Sequence, residues 1–236
     1  MRARNDLTIY DKVADRWWSG DTRWIRTLQN MVPARMRHFE TVVPSFRGKD
    51  VLDLGCAGGF LAEAIAARGA RVTGIDPAAE AVAAAKAHAD EMGIAIRYDV
   101  GVGEALPYPD SAFDMVACVD VLEHVADLDK VLDEIARVLR PGGVFLFDTI
   151  NKTWLARLVV VTVAEDILGL LPKGTHDPAL FIPPARLAEG LRARGFEVGK
   201  FRGLGPVGIN RRGDFRFGLL PFTRVIYIGH AALPAK

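Results

Sequence analysis

From Asp50 to Thr149 the chain alternates short apolar runs with alanine- and leucine-rich segments, and that rhythm leaves few folds open. Val51–Leu54 reads as a buried strand ending in glycines, Phe60–Arg68 as a helix stopped at Gly69, and Arg71–Ile75 as a second strand. Ala78–Met92, closed by Gly93, is a second helix, and Ala95–Asp99 and Met115–Val119 are further strands. Leu128–Leu139 has helical spacing and stops at Arg140-Pro141-Gly142-Gly143, ahead of strand Val144–Phe147. Repetition of this kind implies an α/β, Rossmann-like fold: a mostly parallel sheet with helices on both faces, joined by right-handed crossovers. A ligand is then expected across the carboxyl ends of the strands.

The 236 residues suit one domain with elaborations, and no repeat or linker divides them. Around a core at about 50–150 the remainder reads as an N-terminal helical cap (about 7–46), an apolar insertion after the fifth strand (about 153–184) and a closing piece. In that piece Pro184–Arg194 is a helix, and Phe196–Phe201 and Val225–Ile228 are strands. Two cysteines exclude a disulfide scaffold and suit a reducing cytoplasm. No apolar run is long enough to span a bilayer, and Met1–Asp6 lacks the apolar core of a secretory signal. The net charge of +1 conceals an asymmetry. Residues 151–236 carry 13 Lys and Arg against 6 Asp and Glu, whereas residues 1–150 carry 17 against 23. The basic half either faces something anionic or is unevenly solvated helix surface.

Asp53-Leu54-Gly55-Cys56-Ala57-Gly58-Gly59 occupies the first strand-to-helix turn. A dinucleotide fingerprint would need glycine at 55, 57 and 60, and the residues are Gly55, Ala57 and Phe60, which opposes a nicotinamide dehydrogenase. Asp53 would repel a pyrophosphate and attract an ammonium or sulfonium. Asp76, 21 residues after Gly55, has the spacing of an acid that accepts from both ribose hydroxyls. A nucleoside with a cationic tail and no phosphate is S-adenosylmethionine.

With these residues the chain resembles the class I S-adenosylmethionine-dependent methyltransferases, whose D-x-G-x-G-x-G loop appears as Asp53, Gly55, Ala57 and Gly59. Ala57 replaces the middle glycine, which is tolerable if its φ is negative. Gly101-Val102-Gly103-Glu104 stands where many members place an acid for the adenine amino group. Tyr10–Trp18, Cys118–Val125 and Pro172–Asp177 further resemble the ubiquinone-biosynthesis O-methyltransferases, over about residues 8–190. That resemblance implies methyl transfer to a phenol or catechol oxygen on a polyprenylated ring. It also implies Arg35 on the methionine carboxylate, Gly55 near the methionine end, Asp76 on the ribose and Val119 beside the cofactor.

Asp120, Glu123 and His124 follow the fourth strand, and on a helical turn they share a face. Two chemistries fit: His124 as general base, or all three residues as ligands of Mg²⁺, comparable to the E-x-x-E-H metal site of eukaryotic members. His176 competes as base, with Asp177 to orient its ring. The apolar stretch 154–171, flanked by Arg157 and Lys173, reads either as a lid over an isoprenoid chain that touches the inner face of a membrane, or as a helix buried against the sheet. Arg192, Arg194, Arg211, Arg212 and Arg216 belong to the same basic half. The partner expected is a small lipophilic phenol, with no nucleic acid and no oligomeric state assigned. The rival functions are a natural-product methyltransferase with another O-, N- or C-acceptor, and a non-catalytic cofactor-binding subunit of a membrane-associated assembly.

Overall fold

A computed structural model describes Asn5 and residues 7–235; most of the N-terminal signal question therefore lies outside the described residues. The cap is α1 (Thr8–Lys12), a 3₁₀ turn (Ala14–Arg16) and α2 (Arg23–Phe39). The core follows as β1 (Asp50–Leu54), α3 (Phe60–Ala66), β2 (Arg71–Asp76), α4 (Ala79–Glu91), β3 (Ile96–Val100), β4 (Phe113–Val119), α5 (Leu128–Val138) and β5 (Leu139–Ile150). After a short α6 (Trp154–Ala156) comes a π-helix (Arg157–Ile167), then α7 (Pro184–Ala193), β6 (Glu197–Val198), β7 (Arg202–Ile209), β8 (Phe215–Leu220) and β9 (Ile226–Ala232).

One nine-stranded sheet runs β3-β2-β1-β4-β5-β9-β7-β8, with β6 paired to β9. Strands β1 to β5 are parallel neighbours, as the strand–helix rhythm requires, and the C-terminal strands add antiparallel to β5. The period of two explains the packing. Leu52, Leu54, Val116 and Cys118 enter one core with α5 and α7, while Val51, Met115 and Ala117 enter the other with α2 and α3. Both cysteines are free and buried.

The closing piece departs from expectation. Of strand 196–201 only Glu197–Val198 forms, and the β7–β8 hairpin is new. Three glycines and a proline in β7 hide its pattern, since those residues weaken strand propensity. Arg211-Arg212-Gly213-Asp214 is the hairpin turn. Asn210 Oδ1 accepts from the Arg212 and Asp214 N–H groups, and Arg26 of α2 grips Asp214 with two hydrogen bonds. Arg140-Pro141-Gly142-Gly143, expected to precede a strand, instead bulges inside β5, where the register to β4 shifts.

Candidate functional site

Three strands of the parallel core carry acids at or just before their carboxyl ends: Asp53, Asp76 and Asp148, with Asp120 directly after β4. Asp53, Asp76 and Asp120 line a cavity of about 410 Å³ whose wall also includes Arg35, Gly55, Ala57 and Val119, with Asp148 behind Arg35 and Asp120. Residues 101–104 complete one side of it, and Leu7, Thr8, Tyr10, Asp11 and Trp17 of the cap form another.

Asp53 is 1% exposed, and neither carboxylate oxygen has a hydrogen-bond partner. Burial, then the nearby Asp76, push its pKa up to about 7; the Ala62 N–H is near enough to oppose that rise but not to bond. An unpaired buried carboxyl in a cavity wall fits a cationic ligand. Asp76 is held open by two backbone donors, the N–H groups of Ala57 (2.9 Å) and Ala78 (2.8 Å), each on a different oxygen. Each oxygen keeps a lone pair for a ligand hydroxyl.

Ala57 has φ +42°, so the condition under which its methyl was expected to be tolerable is not met, and the side chain sits in the left-handed region. Gly59 lies outside the cavity wall, contrary to its expected role as a ligand contact. It caps α3 at φ +89°, with the Tyr98 hydroxyl where a β-carbon would sit. Gly58 yields the same room to the Trp17 ring. These two glycines thus serve the packing of protein on protein.

Arg35 is committed elsewhere than the resemblance implies. Its Nε donates to Asp148 Oδ2 at 2.6 Å, and its Nη2 donates to Asp148 Oδ1 at 3.2 Å and to Asp120 Oδ2. Burial depresses its pKa, but the two carboxylates outweigh that and raise it. Among the described residues only Nη1 is left for a ligand carboxylate. Asp148, absent from the sequence reading, also accepts from the Asp120 N–H at 2.9 Å and so fixes Asp120 at φ +54°. Burial raises the Asp148 carboxyl, and Arg35 opposes that rise. Its signal was its position at the end of a strand, shared with Asp53 and Asp76.

Residues 121–124 form a turn, closed by the His124 N–H on the Val121 carbonyl, and not the helical turn expected. Asp120 therefore parts from the other two. Asp120 goes to Arg35, and Glu123 accepts from Thr149 Oγ1 at 2.7 Å while its other oxygen is orphaned. His124 points its Nδ1 at Asn5 Oδ1, 2.6 Å away. The donor atoms that do gather, all within 4.8 Å, belong to Glu123, His124 and His176. Two imidazoles and one carboxyl suit a borderline ion and not the oxygen shell that Mg²⁺ takes, so this set does not fit Mg²⁺.

His176 sits with its ring centroid 5.0 Å from that of His124. Its orienting carboxylate is Glu165 of the π-helix, which accepts from His176 Nδ1 (2.7 Å) and from the N–H groups of His176 (3.1 Å) and Gly174 (3.0 Å). Asp177, the expected partner, accepts from the Ala179 N–H and shapes its own loop. Burial pushes His124 down to about 3, followed by repulsion from His176, so its imidazole is neutral at working pH.

A second cavity, about 360 Å³ and lined almost wholly by apolar side chains, abuts the first. The two share Tyr10, Leu28, Asp120 and His124. Tyr10, the first residue of the N-terminal motif Tyr10–Trp18, stands at this junction. The insertion forms one wall with Val160, Val163 and Leu170, and the unexpected hairpin another with Leu204, Phe215 and Phe217. Val160 and Val161 pack on Ile150 and Phe181 in a separate small core, while Trp154, Leu158, Ile167 and Leu168 remain exposed. Arg194 is paired with Asp129 and Asp133 of α5, so it is not available to an anionic surface.

A methyltransferase-domain family matches residues 52–147. The chain is 40% identical over 201 residues to the ubiquinone biosynthesis O-methyltransferase of Thiobacillus denitrificans, spanning 84% of this chain and 85% of that protein. It is 35% identical over 195 residues to that of Coxiella burnetii, spanning 83% and 82%. Among solved structures, the YcgJ protein of Bacillus subtilis superposes with a TM-score of 0.65 at 18% identity, covering 86% of this chain and 99% of that one. A SAM-dependent methyltransferase from Aquifex aeolicus does so with 0.60 at 16% identity, covering 84% and 89%. At those identities the two structures speak for the fold alone.

Proposed function

The chain belongs to the ubiquinone biosynthesis O-methyltransferases, S-adenosylmethionine-dependent enzymes of the class I fold, and from that premise we propose that it methylates a phenol or catechol oxygen of a lipophilic, polyprenylated quinone precursor. The observation that carries the acceptor class is the apolar second cavity, which meets the acid-lined first cavity at Tyr10, Leu28, Asp120 and His124. An acceptor ring at that junction would present its hydroxyl to the first cavity and leave its chain among aliphatic side chains.

When bound, S-adenosylmethionine supplies an electrophilic methyl group on a sulfonium. Asp53 fits the cationic portion, Asp76 the ribose hydroxyls, and Gly55, Ala57 and Val119 the walls of that site. The Gly101–Glu104 loop takes the adenine side, with Glu104 already holding the Ala126 N–H. His124 and His176 stand beside the acceptor cavity as neutral or carboxylate-oriented imidazoles able to take the hydroxyl proton. The cap residues beside the first cavity and the apolar walls of the second would limit water at the reacting atoms.

The insertion extends the proposal to a membrane surface. Among the described residues no helix is long and apolar enough to cross a membrane. Exposed Trp154, Leu158, Ile167 and Leu168, with Leu168 and Phe222 also lining the acceptor cavity, would let a bilayer deliver the chain-bearing substrate sideways. The test is turnover of catechols of graded prenyl length with S-adenosylmethionine. Rate rising with chain length supports the reading, and equal turnover of an unprenylated catechol sinks the lipophilic acceptor. No cofactor binding in equilibrium dialysis sinks the whole.

A further inference from the structure

What His124 can do at the junction of the cavities depends on which ring nitrogen carries the proton. Asn5 decides this. Its Nδ2 donates to the His124 carbonyl oxygen at 3.0 Å, so its Oδ1 is the atom facing the ring, 2.6 Å from Nδ1. An oxygen acceptor there requires a proton on Nδ1. Exchanging the amide atoms would set acceptor against acceptor at the carbonyl, so the assignment is unique. Nε2 is then the lone-pair nitrogen, and it is buried with no hydrogen-bond partner, in a side chain that lines both cavities.

The rest of Asn5 is built for the task. Its φ of +68° lies in the left-handed region, which asparagine tolerates better than most residues. Its N–H donates to the Gly174 carbonyl at 2.8 Å, and the Gly174 N–H in turn donates to Glu165, the partner of His176. One residue thereby ties the N-terminal segment to both histidines. The amide meets both groups, donating to the carbonyl and accepting from the ring N–H; a carboxylate would keep the acceptor that sets the tautomer and lose only the bond to the carbonyl.

We propose that Asn5 is a positioning residue of the methyl-transfer site, whose side-chain amide selects the Nδ1–H form of His124 and so presents Nε2 as the proton acceptor where the two cavities meet. The proton leaving the acceptor oxygen ends on Nε2. The oxygen's electron pair forms the bond to the methyl carbon, and the pair of the broken carbon–sulfur bond stays on sulfur. Asn5 Oδ1 then holds the Nδ1–H of the resulting imidazolium. Only the kinetic half of this inference rests on the proposed function; the tautomer is a property of the free protein.

The experiment is nitrogen NMR of the ¹⁵N-histidine-labelled full chain, with His124 assigned by its loss in His124→Gln, beside steady-state kinetics of the same samples. Wild type is expected to show a protonated Nδ1 and an unprotonated Nε2. Asn5→Ala is expected to mix the tautomers and lower kcat about tenfold to a hundredfold, the range of a misplaced acid–base group. Its S-adenosylmethionine affinity stays unchanged, because Asn5 is outside the cofactor-side cavity. Asn5→Asp, which keeps the acceptor, is expected to restore the tautomer and most of the turnover, which a merely structural role would not produce. A proton on Nε2 in wild type overturns the proposal, as does Asn5→Ala with an unchanged tautomer, or with a mixed tautomer and full kcat. Failure of wild type to methylate any prenylated catechol overturns the proposed acceptor instead, and the NMR result still decides Asn5.

Discussion

Asp53→Asn isolates the most exposed assumption about the cofactor site, that a carboxyl is held there without a partner. In the folded protein its pKa stands at about 7 against an ordinary 3.8, with burial as the first cause and Asp76 as the second. Between roughly pH 4 and pH 7 the folded state keeps a proton that the unfolded chain has released, so stability falls as pH rises through that window and levels off above it. Roughly three pK units at 1.36 kcal/mol each give about 4 kcal/mol. The asparagine variant lacks this dependence, and any cost of its own unsatisfied amide is the same at every pH. The Tm advantage of the variant over wild type should therefore widen by about 8–16 °C from pH 4 to pH 8, at about 2–4 °C per kcal/mol for a chain of this size. Scanning calorimetry of both proteins without cofactor measures it. Curves that run parallel would refute the reasoning, because they would mean that Asp53 is solvated or paired. The same acid predicts that wild type releases a proton when it binds S-adenosylmethionine at pH 6, seen as a buffer-dependent binding heat, and that Asp53→Asn does not.

Ala57→Gly should raise Tm by about 1–3 °C, since relief of a left-handed alanine (about 1–2 kcal/mol) exceeds the added chain entropy of glycine (about 0.5–1 kcal/mol); a marked fall in Tm would contradict the backbone assigned there. Arg35→Met should cost about 3–5 kcal/mol in denaturant unfolding by leaving Asp148 and Asp120 buried without their cation, and Asp148→Asn in the same chain should recover a large part of it. Trp154→Ser should weaken sedimentation with anionic vesicles while leaving turnover of a detergent-solubilised substrate intact; unchanged sedimentation would remove the membrane contact. Glu165→Gln should lower kcat more than it raises KM for the acceptor, because a turned His176 ring affects the reaction and not the apolar wall.

Features written in neighbouring residues were legible. Alternation marked β1 to β5, and the glycine turn with an acid before it and an acid 21 residues after Gly55 marked the cofactor edge. These depend on backbone periodicity and turn chemistry, which act over a few residues. The hairpin β7–β8 escaped because its glycines and proline carry no strand signal, and pairing with β9 is what makes it a strand.

The sequence by itself determined a parallel α/β core, the place of its ligand edge and a family. Only the tertiary structure decided what each charged or titratable side chain answers to. Arg35 meets Asp148 across 113 positions, and Asn5 meets His124 across 119. His176 meets Glu165 only because a π-helix turns that acid inward, and Asp120 leaves Glu123 and His124 because the segment is a turn and not a helix. A buried polar group takes the partner that long-range packing brings within 3 Å, and no local pattern encodes that choice.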